Sequence, residues 1–332
     1  MKAIQLSEDK ELALVDLPTP RAGVGEVRVN LLASALNHRE LWIQKGLYPG
    51  MKLPCILGAD GAGIVDEVGV NGNQSLLGKE VIIYPAYDWG ASEHASSKHF
   101  RVLGMPDPGT MAEYIVLPES SIVIKPSYLS MEAAAALPIA GLTAFRALTV
   151  IGKIKKGDKV LITGIGGGVA QAGLSFCPHF EAEVYVTSSS QTKIDEAIKR
   201  GAKGGVNYKD EDWFAQLKAL SGGIDIVLDS SPVPVLDNYL AFLNMGARIV
   251  YYGSTGSRNT TIKNMSKFFL RHISFIGSTM GSPNDFFNMI AFMEQHQIQP
   301  LIHETFDMKD AVSAFASLAE GKHSGKIVLR HL

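Results

Sequence analysis

Cysteine is almost missing from these 332 residues. Only Cys55 and Cys177 are present, so a disulfide framework is not expected and each thiol reads as a small buried side chain in a reducing compartment. Net charge is scarce as well, a formal −2, which gives no basis for nucleic-acid binding or for attraction to an anionic membrane surface. No apolar run approaches bilayer length, and Met1-Lys2-Ala3-Ile4 leads straight toward a strand. The expectation is therefore a cytoplasmic protein without signal peptide or membrane span. Sequence repeats and low-complexity linkers are lacking too. Glycine, by contrast, is abundant: 33 residues within a 46% hydrophobic composition suit an α/β protein with many tight turns and the length for two domains.

Up to about Ile124 the chain shows short alternating runs, EVRVNLL at 26–32, GIVDEV at 63–68 and EVIIY at 80–84, broken by Gly and Pro. Such alternation predicts an antiparallel, barrel-like β domain. SMEAAAA at 130–136 then reads as a serine-capped helix start, and beyond Val160 apolar strands alternate with helical stretches: DIVL at 225–228, RIVYY at 248–252, SFI at 274–276. That order predicts a parallel, doubly wound sheet. The tail carries an amphipathic helix, AVSAFASL at 311–318, and a strand, GKIVL at 325–329.

The densest glycine cluster lies in VLITGIGGGVA at 160–170. An apolar, β-branched run entering glycines and then small residues predicts strand, tight turn and helix start. In that form, backbone N–H groups and a helix dipole receive a pyrophosphate. Gly164, Gly167 and Ala170 give the spacing G-x-x-G-x-x-A, with Gly166, Gly168 and Val169 completing the turn, and VYV at 184–186 follows at βαβ spacing. A dinucleotide is the expected ligand. After the second strand come Thr187, Ser188, Ser189 and Ser190, with Lys193 one turn on, whereas Glu181 and Glu183 stand at the strand's start. A carboxylate at the strand's end favours NAD by bonding the ribose hydroxyls and repelling a 2′-phosphate; hydroxyls with a cation favour NADP(H). The same serines also suit a cap on a helix over 191–200.

Five segments in order, LGADGAG at 57–63, GTMAEY at 109–114, ALPIAGLT at 136–143, the glycine turn and GKHSGKIVL at 321–329, resemble the medium-chain dehydrogenase/reductase superfamily over essentially the whole chain. The resemblance implies a GroES-like β-barrel catalytic domain, 1–124 with 266–332 returning to it. A Rossmann doubly wound parallel sheet at 125–265 completes the fold, with cofactor and substrate meeting in a cleft, usually within a homodimer. It further implies contacts to the cofactor pyrophosphate from Gly164, Gly167, Gly168, Val169 and Ala170, and to the adenosine phosphate from Ser188, Lys193 and Tyr208. Thr143 is implied at the nicotinamide ribose, and Gly253 and Ser254 at the carboxamide. Lys326, in the late Gly-Lys motif, is either near the cofactor or a solvated edge charge; Asp229 reads mainly as a turn residue.

Zinc members of the superfamily place ligands at positions that look like Asn37, Ala59 and Ile139 here, with Asp60 replacing the neighbouring glutamate. Alanine and isoleucine cannot bind a metal, and 85–104, where a four-cysteine lobe is expected, contains no cysteine, so no metal is expected. Glu93, His94 and His99 lie there at no common zinc spacing and read as a surface loop. LNHRE at 36–40 resembles the zinc-free quinone oxidoreductase motif. Alcohol oxidation without a metal lacks the group that lowers the hydroxyl pKa, whereas a quinone or α,β-unsaturated carbonyl needs only hydrogen-bond donors for its developing oxyanion. The expectation is NADPH-dependent reduction of such a small carbonyl or quinone substrate, with Asn37 and Tyr48 near its oxygen. The bland alternatives are a turn for Asn37, loop packing for Tyr48 and loop orientation rather than proton transfer for His38. Trp42, Trp89 and Phe275 either line the cleft or belong to the core. Rival functions are an alcohol dehydrogenase-like enzyme acting on alcohols or aldehydes and a non-enzymatic NADPH-binding protein.

Overall fold

The computed structural model describes residues 1–254 and 259–331. In chain order the first stretch holds β1 (Lys2–Leu6), β2 (Leu12–Asp16), β3 (Glu26–Ala35), α1 (His38–Gln44), β4 (Cys55–Ile56), β5 (Asp60–Val68), β6 (Glu80–Ile83), β7 (Ala86–Tyr87), β8 (Arg101–Val102), β9 (Tyr114–Pro118), β10 (Ile122–Ile124) and α2 (Met131–Ala135). Helix α3 (Pro138–Arg146) leads into β11 (Lys159–Ile162), α4 (Gly168–Phe176), β12 (Glu183–Ser188), α5 (Gln191–Lys199), β13 (Gly204–Asn207), α6 (Trp213–Ser221), β14 (Ile224–Asp229), β15 (Leu243–Tyr251), α7 (Met265–Leu270) and β16 (Ser274–Gly277). The chain closes with α8 (Pro283–His296), β17 (Ile302–Asp307), α9 (Ala311–Glu320) and β18 (Lys326–Arg330).

Two compact units result: Met1–Leu142 with the segment from Gly281 onward, and Thr143–Met280. The boundaries expected at 124/125 and 265/266 both fall earlier than these. Ser130 caps α2 by accepting from Ala133 N–H, and α2 packs its alanines on β3 and β5, so the first unit keeps it. Strand β16 pairs in parallel with β15 and completes the second unit's sheet.

In the first unit β3 is the organising strand. Val27, Val29, Leu31 and Ala33 are buried on one face, the period-two pattern of a half-buried strand. It pairs antiparallel with β5 on one edge and on the other with β9, then β18, in a sheet of order β10-β6-β5-β3-β18-β17. Strands β2, β1 and β4 form a second, antiparallel sheet.

The second unit is a parallel sheet of order β13-β12-β11-β14-β15-β16, the doubly wound order whose reversal beside β11 opens a crevice at the strands' carboxyl ends. Leu161, Val227 and Ile249 of its central strands are fully buried and cluster with Trp213, Tyr239 and Phe242. Covered on both faces, these strands are apolar throughout rather than alternating. Among the described residues no helix is long and apolar enough to cross a membrane.

Candidate active site

Register places the first unit's polar centre. Ala35 pairs with Asp60 on one side and with Val328 on the other, and Leu36 N–H donates to the Ile327 carbonyl at 2.9 Å. Asn37, two residues past Ala35, is thereby set between Asp60 and Lys326. It caps α1 with extended backbone (φ −129°, ψ 161°), and its N–H donates to Glu40 Oε2 at 2.7 Å. Its side-chain Nδ2 donates to Asp60 Oδ2 at 3.0 Å, and its Oδ1 accepts from Lys326 Nζ at 2.6 Å. Lys326 Nζ also donates to Asp60 Oδ2 at 2.9 Å and to the Leu36 carbonyl at 2.7 Å. Its three N–H donors are thus all committed within this unit. Asp60 Oδ1 accepts from Ile139 N–H at 2.7 Å, and the Thr110 hydroxyl donates to the Asp60 carbonyl at 2.7 Å.

Beneath Asn37, Glu40 is fully buried and accepts from Arg39 Nη1 at 3.0 Å. Burial raises the Glu40 pKa, and the Arg39 charge opposes that rise. The Arg39 guanidinium lies 5.0 Å from the centroid of the Tyr48 ring, which packs half-buried against the core cluster holding Leu41 and Ile43. His38 begins α1, its ring 5.6 Å from that of His323; desolvation of the ring and the Lys326 charge lower its pKa. Ala59 is fully buried, and Ile139 packs against its cluster. In the 85–104 segment Trp89 is a core residue stacked edge-on against Phe100. Glu93 accepts from the Ser282 hydroxyl at 2.5 Å and from Asn284 Nδ2 at 2.6 Å, which holds the loop against the start of α8. Among the described residues no three His, Cys, Asp or Glu side chains are grouped to hold a metal ion.

In the second unit Thr163 turns the chain from β11 into the glycines. Gly164 has φ +63°, where a side chain is strained. A Cβ there would meet nothing nearer than Ser230 Oγ at 3.8 Å. Gly167 caps α4 at an ordinary φ of −75°, and the nearest atom to its Cβ would be the Gly164 carbonyl at 3.7 Å. Neither backbone angle nor packing demands glycine at 167. Gly173 differs: a Cβ there would stand 2.8 Å from Leu228 Cδ2, so it is required by close packing of α4 on β14. Gly168 and Val169 form the first turn of α4, and Ala170 is buried beneath it.

Thr187 ties this turn to β12, its hydroxyl accepting from Gly164 N–H at 3.3 Å and its carbonyl from Ile165 N–H at 3.0 Å. Asp229 does more than turn the chain. Fully buried, it accepts from the Thr163 hydroxyl at 2.8 Å, Ser231 N–H at 2.9 Å and the Tyr239 hydroxyl at 3.1 Å. Burial raises its pKa while these three bonds oppose the rise.

At the carboxyl end of β12, Ser188 Oγ accepts from Ser190 N–H at 3.1 Å, and Tyr208 N–H donates to the Ser188 carbonyl at 3.1 Å. Ser190 caps α5 by accepting from Lys193 N–H at 3.4 Å. The fold thus gathers Ser188, Lys193 and Tyr208 at one end of β12 and β13, while Glu183 stands at the opposite end of β12. Desolvation lowers the Lys193 pKa, opposed by Glu196. Gly253 and Ser254 follow β15, Gly253 beside Ser230; Thr143 is buried in α3; Phe275 is 48% exposed on β16 and stacks on Tyr251. Trp42 is half-buried in α1. Sequence reasoning missed the supporting roles of Glu40, Thr187 and Asp229. The capping-box spacing from Asn37 to Glu40 was the one available signal.

Two family models match the chain in the order of its units: an alcohol dehydrogenase GroES-like domain at residues 23–127 and a zinc-binding dehydrogenase at 168–295. A zinc-type alcohol dehydrogenase-like protein, YogA, of Leptosphaeria maculans is 34% identical, over 96% of this chain and 94% of its own. An acryloyl-coenzyme A reductase of Sulfurisphaera tokodaii is 26% identical over 99% of this chain and 100% of its own. A crystal structure of an NAD-dependent alcohol dehydrogenase superposes with a TM-score of 0.92 at 34% identity, covering 99% of each chain. With the barrel-like first unit, the doubly wound second unit and these matches along nearly its full length, the chain belongs to the medium-chain dehydrogenase/reductase superfamily, a family of oxidoreductases.

Proposed function

We propose that the protein is an NADP(H)-dependent oxidoreductase that reduces a small quinone or α,β-unsaturated carbonyl without a metal ion. A nicotinamide cofactor, when bound at the second unit, supplies the hydride. Gly164, Gly167 and the first turn of α4 would hold its pyrophosphate, as the open space above Gly167 supports. Ser188, Lys193 and Tyr208 would hold the adenosine phosphate, a hydroxyl and a cation standing where NAD sites carry a carboxylate. Thr143, Gly253 and Ser254 would serve the nicotinamide end.

The residues of the first unit do not fit a zinc ion. At the positions that resemble the family's ligands, Ala59 and Ile139 offer no lone pair, and the Asn37 amide oxygen is taken by Lys326. What the site does offer is the Asn37 amide, and this is the observation that carries the proposal. A fixed N–H donor stabilises the charge that develops on an acceptor's carbonyl oxygen but cannot ionise an alcohol. Tyr48, whose ring packs under the Arg39 guanidinium, would assist at the acceptor oxygen, and the reduced acceptor would take its proton from solvent. The likeness to an acryloyl-coenzyme A reductase supports an α,β-unsaturated carbonyl, since an acryloyl thioester is one. A homodimer belongs to the same proposal: β16 is a sheet edge that carries the exposed Phe275, and Phe269 and Leu270 of α7 are exposed as well.

The test is cofactor oxidation with quinones, enones and aldehydes in parallel, with NADPH and NADH, with and without a chelator. Turnover of quinones or enones, preference for NADPH and indifference to chelator are expected. Alcohol oxidation lost on chelation would replace the proposal by a zinc alcohol dehydrogenase.

A further inference from the structure

The partners of the Asn37 amide permit it only one orientation. Lys326 carries donors and no acceptor, and the Asp60 carboxylate carries acceptors only. Turning the amide over would set its NH₂ against the ammonium at 2.6 Å and its oxygen against the carboxylate at 3.0 Å, two repulsive contacts in a site where Lys326 and Asp60 are buried. With Oδ1 given to Lys326 and one Nδ2–H given to Asp60, a single N–H remains, and among the described residues nothing accepts it. Donation from the ammonium to Oδ1 also polarises the amide, which makes that remaining N–H a stronger donor.

We infer that Lys326 is a positioning residue: its ion pair with Asp60 locks the Asn37 amide so that the remaining N–H is presented to the acceptor oxygen, with a fixed positive charge behind a neutral donor. Lys326 thereby acts through Asn37 and not on the cofactor. The presentation to an acceptor rests on the reduction proposed above; the lock itself does not.

The neutral double variant K326M/D60N removes both charges, so that neither is left buried alone. With an accepted enone or quinone its kcat is expected to fall roughly ten- to hundredfold, while KM for NADPH stays within about twofold. The same two substitutions are expected to add no further loss in an N37A background. A readout independent of turnover is hydrogen exchange of the Asn37 side-chain amide, its ¹⁵N resonance assigned by its loss in N37A. The proton held by Asp60 is expected to exchange slowly in the wild type and fast in the double variant. If K326M/D60N does not fold, K326R supplies the comparison, keeping the charge but replacing a point-like ammonium by a planar fork. Unreduced kcat, an equal loss in the N37A background, a raised KM for NADPH alone, or unchanged amide exchange would each overturn the lock. If the wild type reduces no acceptor with NADPH, the functional proposal falls, and amide exchange still decides the lock.

Discussion

Lys326 and Asp60 stand 266 positions apart in the chain and 2.9 Å apart in the fold, the lysine side chain 5% and the aspartate 0% exposed. Neither charge has water to fall back on, so each depends on the other. Lys326→Met alone is expected to lower stability by about 3–5 kcal/mol, because it leaves a buried carboxylate uncompensated. K326M/D60N is expected to recover most of that loss. Urea unfolding midpoints at constant m-value measure both, and losses that simply add would refute the coupling.

Asn37→Ala removes the proposed donor and is expected to lower kcat for the accepted quinone or enone by roughly a hundredfold. Its cost in stability should be about 1–3 kcal/mol, because the buried Lys326 and Asp60 each lose a hydrogen-bond partner. Steady-state kinetics with a thermal melt separates the two; an unaltered kcat would remove Asn37 from the chemistry.

Cofactor choice is expected to follow the end of β12. Ser188→Asp places a carboxylate where a 2′-phosphate would lie, and Lys193→Ala withdraws the cation. Each should lower the NADPH-to-NADH ratio of kcat/KM by about tenfold or more. A ratio that does not move would assign the phosphate to other residues.

The glycines of α4 should separate binding from stability. Gly167→Ala introduces a Cβ whose nearest neighbour is 3.7 Å away, so the melting temperature should barely change while NADPH affinity falls. Gly173→Ala meets Leu228 Cδ2 at 2.8 Å and should instead lower stability by about 1–3 kcal/mol with affinity kept. Calorimetric binding and melting on both variants give the comparison.

His331 provides a pH dependence of known sign. It is buried with Nε2 2.9 Å from Ser34 Oγ, and desolvation holds its pKa down at about 4. In the unfolded chain it titrates near 6.5, so between these values the unfolded state binds the extra proton and stability falls as pH falls. Below pH 4 the loss amounts to about 3 kcal/mol. His331→Gln should flatten unfolding free energy against pH between 6.5 and 4; an unaltered slope would assign it to other groups.

Much of the second unit was legible in the sequence, because what decides it is local. The β-branched run of β11, the positive φ at Gly164 and the serine cap of α5 are properties of neighbouring residues. The limits of the units were less legible. Helix α2 reads as helix from its own residues, but its membership of the first unit depends on packing against β3 and β5. Asp229 read as a turn because nothing nearby announces that Thr163 and Tyr239 will donate to it.

The sequence by itself determined the glycine turn, the hydroxyls and cation beyond it, and the alanine and isoleucine at positions that resemble zinc ligands, since side-chain chemistry and short-range spacing are written in order along the chain. Only the tertiary structure decided what Lys326 touches. Strand register sets Ala35 between Asp60 and Val328, and no local pattern carries a pairing made by strands from opposite ends of the chain.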